Sequence, residues 1–201
     1  MKRTSSFVVF LTFIILFCNQ TAIAQEFPLD LEIPSTGADR YDSGIPFPED
    51  VIGHRIGNRH TIPSQVVDYF TEVAKLSDRV ILRGHGRTHE GRKLIHAIVT
   101  SPENHANLGS IQQANLLLSE DPNSVSEEYF ADGKLVVYMG YSVHGNEASG
   151  TEAAILTLYH LAAGQGDKID ELLRDVVIII DPMLNPDGRD RFADWVNRNR
   201  G

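Results

Sequence analysis

Cysteine is nearly missing from this sequence: Cys18 is the only one in 201 residues. It lies in the opening stretch "MKRTSSFVVFLTFIILFCNQTAIA", so a chain that sheds this stretch has no thiol and can form no disulfide. Stability must then come from a packed core. Positive charge is also scarce, with 18 Lys and Arg against 27 Asp and Glu and a net charge of −9. An acidic chain without a basic patch is a poor partner for nucleic acid or anionic lipid, both of which are held through clustered Lys and Arg. Internal repeats and low-complexity segments are absent, which excludes a repeat architecture. What is present is ordinary globular composition, 42% hydrophobic and 22% charged, enough for one domain with a core of its own.

The opening stretch reads as a secretory signal peptide over residues 1–24. Lys2 and Arg3 form the charged region, Phe7 to Phe17 the apolar region, and Ala22-Ile23-Ala24 the Ala-x-Ala cleavage site. The apolar run is short for a membrane span, so no membrane attachment is expected after cleavage. A lipoprotein signal would use Cys18, but Phe17 is bulky where such signals want a small residue. Cleavage after Ala24 leaves 16 basic against 27 acidic side chains, a net charge of −11. The expected location is secreted or periplasmic, and export without disulfides suits a bacterial periplasm better than a small eukaryotic secreted domain.

Residues 25–60 carry Pro28, Pro34, Gly37, Gly44, Pro46, Pro48, Gly53 and Gly57 with no sustained period, and read as an extended N-terminal arm. Val66, Val67, Phe70, Val73 and Ala74 then recur at helical spacing. Two β-rich runs, 79–83 and 93–100, flank Gly84, Gly86 and Gly91, the signature of a hairpin. His85, His89 and His96 lie in it without metal-ligand spacing and read as loop and strand histidines facing solvent. A single helix is expected over 103–118. The run Leu135 to Tyr141 reads as a central strand covered on both faces. "EASGTEAAILTLYHLAAG" reads as a buried helix, 167–173 as a short second helix, and Val176 to Ile180 as another buried strand. The order predicts an α/β fold, three layers α/β/α with a mixed, mostly buried central sheet.

Ligands of open α/β sheets gather beyond the carboxyl ends of the strands. Two polar loops fall there: "SVHGNE" after one buried strand and "DPMLNPDGRDR" after the other. In the first, His144 and Glu147 stand three residues apart across a strand-to-helix turn. Imidazole nitrogen and carboxylate oxygen are both zinc donors, and Gly145 between them removes a side chain from the turn. Catalytic zinc takes three protein ligands and an open position, so the pair supplies two. Gly140-Tyr141-Ser142-Val143-His144 is also near a Gly-x-Ser-x-Gly nucleophile elbow, but His144 replaces the last glycine, where strand and helix must pack closely. Ser142 is therefore expected in the pocket wall. Asn185 to Gly188 are all turn residues and read as a turn with a structural role.

"GYSVHGNEASGTEAA" followed by "IDPMLNPDGRDRF" resembles the zinc carboxypeptidase family of the carboxypeptidase A type, and "GRTHEGRKLIHAIVTS" resembles the hairpin that precedes them there. The resemblance covers residues 65–201. It implies a phosphorylase/hydrolase-like zinc-peptidase fold and one Zn2+ per site, with His144 and Glu147 as the first two ligands. It also implies an arginine that polarises the scissile carbonyl, matched by offset at Arg200 with Arg198 as the other assignment. The substrate implied is a peptide cut at its C-terminus, murein peptides included. The family's third histidine ligand, carboxylate-gripping Asn-Arg pair, tyrosine and general-base glutamate have no match by Gly201. The expectation is therefore an N-terminal fragment, residues 61–201 being the first part of a catalytic domain that lacks its C-terminal half and is inactive alone. Two other readings stay open: an N-acyl amino-acid deacylase of the aspartoacylase or succinylglutamate desuccinylase kind, and a non-catalytic relative that uses the cleft to bind.

Overall fold

A computed structural model of the protein describes residues 38–124, 126–127 and 133–200. The expected signal peptide and the first part of the expected arm lie outside the described residues. The described part of the arm holds a two-residue strand, β1 (Arg40–Tyr41), and a single helical turn, α1 (Pro48–Ile52), closed by Gly53 at φ 78°. Ile45, Ile52 and Ile56 from this segment are buried in the core.

Helix α2 (Pro63–Leu76) starts with Pro63, whose missing N–H costs nothing in a first turn, and buries Val66, Phe70 and Val73 as the spacing requires. Tyr69 joins them, fully buried. The hairpin forms as β2 (Val80–Arg87) and β3 (Lys93–Val99), antiparallel, with a bulge between Gly84 and Gly86. In β3 the alternation places Ile95, Ala97 and Val99 on one face of the sheet, all buried.

The single helix expected over 103–118 is two, α3 (Pro102–Ala106) and α4 (Leu108–Glu120). Asn107 breaks it at φ −113°, ψ 11°, with its side-chain amide donating to the Glu103 carbonyl at 2.9 Å. Local hydrogen bonding by Asn competes here with the helical ladder. There follow β4 (Leu135–Gly140), α5 (Ala148–Ala163), β5 (Gly164–Gln165), α6 (Asp167–Asp175), β6 (Val176–Asp181) and α7 (Pro186–Arg198). Strand β5 pairs with β1 in a small ribbon.

The main sheet has the order β2-β3-β6-β4, antiparallel except for the parallel pair β4–β6, so it is mixed as expected. Helices α2 and α5 cover one face, where Phe70, Val73, Ile155 and Leu158 meet Ala97, Val99 and Ile180. Helix α4 lies on the other, where Leu108, Ile111 and Leu116 border a groove with Ile98, Val136 and Ile179. Among the described residues β6 has a strand on each side and β4 on one side only. Leu135 is 61% and Tyr138 58% exposed. An apolar run reports that a strand suits burial, not which neighbours it receives. No helix among the described residues is long and apolar enough to cross a membrane.

Candidate functional site

Because β4 and β6 run parallel with Gly140 opposite Asp181, the loops that follow them leave from the same end of the sheet. Backbone bonds then lace the two loops together. Tyr141 N–H donates to the Asp181 carbonyl at 2.9 Å, Leu184 N–H to the Tyr141 carbonyl at 2.9 Å, and Asn185 N–H to the Ser142 carbonyl at 3.1 Å.

Asn185 to Gly188 form no free turn but the start of α7, a correction to the sequence reading. The Asn185 carboxamide oxygen accepts from Gly188 N–H at 2.9 Å and Pro186 takes the first helical position. Residues that favour turns also favour helix starts, since both need a side-chain acceptor for a free N–H. This helix start is the seat of the other loop. Gly145 is buried against it, and a Cβ on Gly145 would lie 2.0 Å from both Arg189 N and Gly188 C. No left-handed φ is involved. Glycine is needed here because two backbones touch.

The hairpin clamps the same helix from the side. Asp187 accepts from the Thr88 hydroxyl at 2.7 Å, Glu90 N–H at 3.2 Å and the Arg92 guanidinium at 2.8 Å. Arg92 also pairs with Asp190, and Arg191 with Glu90. Burial raises the Asp187 carboxyl, but the hydrogen bonds from Thr88 and Arg92 and the Arg92 charge outweigh it and hold the carboxyl below its usual range.

On this support the loop closes through Glu147 N–H donating to the His144 carbonyl at 3.0 Å. The two side chains meet: His144 Nδ1 lies 3.0 Å from Glu147 Oε1, with 69% and 65% of the side chains exposed. Two donors bound to one tetrahedral zinc stand about 3.4 Å apart, given bonds of roughly 2.0–2.1 Å. At 3.0 Å the two atoms are hydrogen-bonded to each other, about 0.4 Å closer than that, and their donor types are those that zinc takes. Among the described residues no group of three His, Cys, Asp or Glu side chains is placed to hold a metal, so the pair offers two donors without a third. Arg200 is exposed beyond the end of α7 and makes no hydrogen bond or ion pair with His144 or Glu147; Arg198 pairs with Asp194 at 2.7 Å. The Arg200 charge reaches His60 instead: burial first, then Arg189 and Arg200, hold that imidazole below its usual range against an opposing pull from Glu152.

Ser142 is buried beneath the loop at φ 53°, and its hydroxyl has no partner among the described residues. A nucleophile elbow raises its serine to the surface. Of the hairpin histidines, His85 lies 3.2 Å from the buried Asp181 carboxylate and 5.3 Å, ring to ring, from His96. Burial first, then the His85 and Arg83 charges, keep the His96 ring below its usual range, with Asp181 opposing.

Sequence reasoning missed the floor beside His144. Asn146, Arg191, Phe192 and Trp195 line a cleft with it, Trp195 being 67% exposed. The i, i+4 spacing of Arg191 and Trp195 shows that they share one face of α7, but not that the face meets His144. It also missed Arg189, which is fully buried under the loop.

Comparison with curated proteins finds no match. Among solved structures the fold is similar to thrombin activatable fibrinolysis inhibitor, at 14% identity and TM-score 0.46, over 71% of this chain and 33% of that one. It is similar to carboxypeptidase A from Helicoverpa armigera, at 20% identity and TM-score 0.44, over 73% and 34%. A metallo-carboxypeptidase from Burkholderia cenocepacia matches at 20% identity and TM-score 0.43, over 64% and 28%. The chain therefore spans about a third or less of the length of these structures. A family model described as zinc carboxypeptidase matches residues 66–200, from α2 to the residues beyond α7. With that match over most of its length, the chain belongs to the zinc carboxypeptidase family.

Proposed function

We propose that His144 and Glu147 are zinc ligands of a metallocarboxypeptidase that hydrolyses peptide bonds at the C-terminus of its substrate. The observation that carries this reading is the 3.0 Å approach of His144 Nδ1 to Glu147 Oε1, exposed at the carboxyl end of the parallel strand pair. Zinc bound there supplies Lewis acidity and lowers the pKa of water toward neutrality. His144 and Glu147 orient the ion, and the helix start beneath Gly145 keeps them together. Arg200 is assigned, by the family resemblance, to the charge that develops on the scissile carbonyl oxygen, a role for a positive group. The ion pair of Arg198 with Asp194 favours Arg200 over Arg198 for this role.

Residues 1–24 are assigned as a signal peptide removed on export, placing the enzyme outside the cytoplasm. Residues 61–201 are assigned to the catalytic domain and 25–60 to the arm that leads into it.

The test is hydrolysis, by this chain extended to the complete catalytic domain, of peptides with free C-termini, set beside C-terminally blocked peptides and acyl-amino acids. The expected result is cleavage of the free peptides only, lost with chelator and in Glu147→Ala. Full activity of Glu147→Ala in metal-free buffer overturns the reading, and preference for acyl-amino acids moves it to a deacylase.

A further inference from the structure

An arginine without solvent contact is costly, because its charge leaves water and returns only what its partners supply. Arg189 is such a residue, at 0% exposure in α7. Its guanidinium donates to the Thr61 carbonyl at 3.0 Å, to the Ala148 carbonyl at 3.1 Å, and to the Glu152 carboxylate, with which it forms an ion pair. Glu152 is in turn held by Thr61, whose N–H donates at 2.9 Å and whose hydroxyl donates at 2.6 Å. Replacing a buried ion pair by apolar side chains is often neutral or stabilising, so stability alone does not account for this one.

The position of its contacts does. Ala148 follows Glu147 in the chain, and Glu152 lies one turn further along α5. On the other side of the loop, the Arg189 backbone N forms the surface on which Gly145 rests. One residue thus grips the loop at both ends, at Gly145 through its main chain and at Ala148 through its side chain. Asn146 and Glu147 are bracketed between the two grips, with His144 one residue outside. We propose that Arg189, neutralised by Glu152, is a positioning residue that presets the His144–Glu147 pair for metal; this rests on the ligand reading given above. The planar guanidinium serves three acceptors at once, which a lysine ammonium on a flexible stem does not reproduce. Thr61 carries the same clasp to the segment that precedes α2. There His60 and Asn197 exchange bonds of 3.1 Å and 2.8 Å, which ties α7 down a second time.

The test uses the full chain as wild type, Arg189→Lys, and the double variant Arg189→Met with Glu152→Gln. The double variant removes both charges together and keeps an acceptor for Thr61, so that it folds even if a single change does not. The first measurement is amide exchange at Glu147, whose N–H is bonded to the His144 carbonyl, against the amides of β6. The second is titration with zinc alone, followed at the His144 ring signals, with His144→Ala identifying them. The expected result is faster exchange at Glu147 with β6 unchanged, and a zinc response weakened about 10-fold or more, the range typical of residues that orient metal ligands. Equal acceleration at Glu147 and in β6, or a zinc response of wild-type strength in both variants, overturns the proposal. A wild-type chain whose His144 signals ignore zinc overturns the ligand reading instead, and the exchange contrast alone then decides whether Arg189 holds the loop.

Discussion

Replacing Gly145 by alanine adds one methyl group where the backbone of α7 already stands. The new carbon would lie 2.0 Å from Arg189 N and Gly188 C and 2.5 Å from Gly188 O, against 3.4 Å or more in ordinary contact. Relief requires a relative movement of about 1.4 Å between the loop and the helix start, enough to carry ordinary packing out of register. Neither side is free to yield. The loop is laced to residues 184 and 185, and α7 is held by the Asn185 cap and by Thr88 and Arg92. Overpacking of this kind costs on the order of 1–3 kcal/mol and a lost backbone bond about 1 kcal/mol more, so a loss of about 3 kcal/mol is expected. In a domain of this size that lowers the Tm by roughly 10 °C.

Urea denaturation of Gly145→Ala measures it, with two controls that separate space from conformation. Gly109 in α4 has nothing within 4 Å and an ordinary φ, and its alanine variant should gain about 0.5 kcal/mol. Gly91 also has open space but sits at φ 83°, and its alanine variant should lose about 1 kcal/mol. A Gly145→Ala protein within about 0.5 kcal/mol of wild type, the scatter of ordinary surface changes, would refute the close-approach argument.

Asn185→Ala removes the cap of α7 and should cost about 1 kcal/mol by denaturant midpoint, with Asn185→Asp restoring most of it. The depressed Asp187 carboxyl contributes stability that is present above its unfolded value near pH 3.8 and is lost as pH falls through the lower folded value. The fall in Tm between pH 5 and pH 3 should therefore be shallower in Asp187→Asn than in wild type, and equal slopes would show that the hairpin clamp does not depend on this charge.

Several elements were legible because their evidence is local. The spacing of Val66, Phe70 and Val73 predicts α2, the all-round apolar surface of residues 148–163 predicts the buried α5, and the run 176–180 predicts β6. The hairpin was legible from two β-rich runs around glycines, although β2 extends further, to Arg87, than its apolar part suggests. Helices α3 and α4 read as one in the sequence because Asn107 interrupts no periodicity, only a hydrogen-bond ladder. The pairing of His144 with Glu147 was visible as spacing, and the structure adds that both side chains turn to the same point.

What lay beyond the sequence depends on partners distant along the chain. Gly145 reads as a glycine for a tight turn; its real neighbour is the peptide between residues 188 and 189, which only the parallel pairing of β4 with β6 brings near. Arg189 carries no local signal of burial, since arginine is ordinarily exposed, and only the convergence of α5, α7 and Thr61 supplies acceptors that let it be buried. The apolar run of β4 is the same whether the strand lies inside a sheet or at its edge. By itself the sequence determined periodicity, the loops that carry polar side chains and the donor types at 144 and 147. The tertiary structure decided which backbones touch, because close approach and charge burial depend on neighbours that no local pattern encodes.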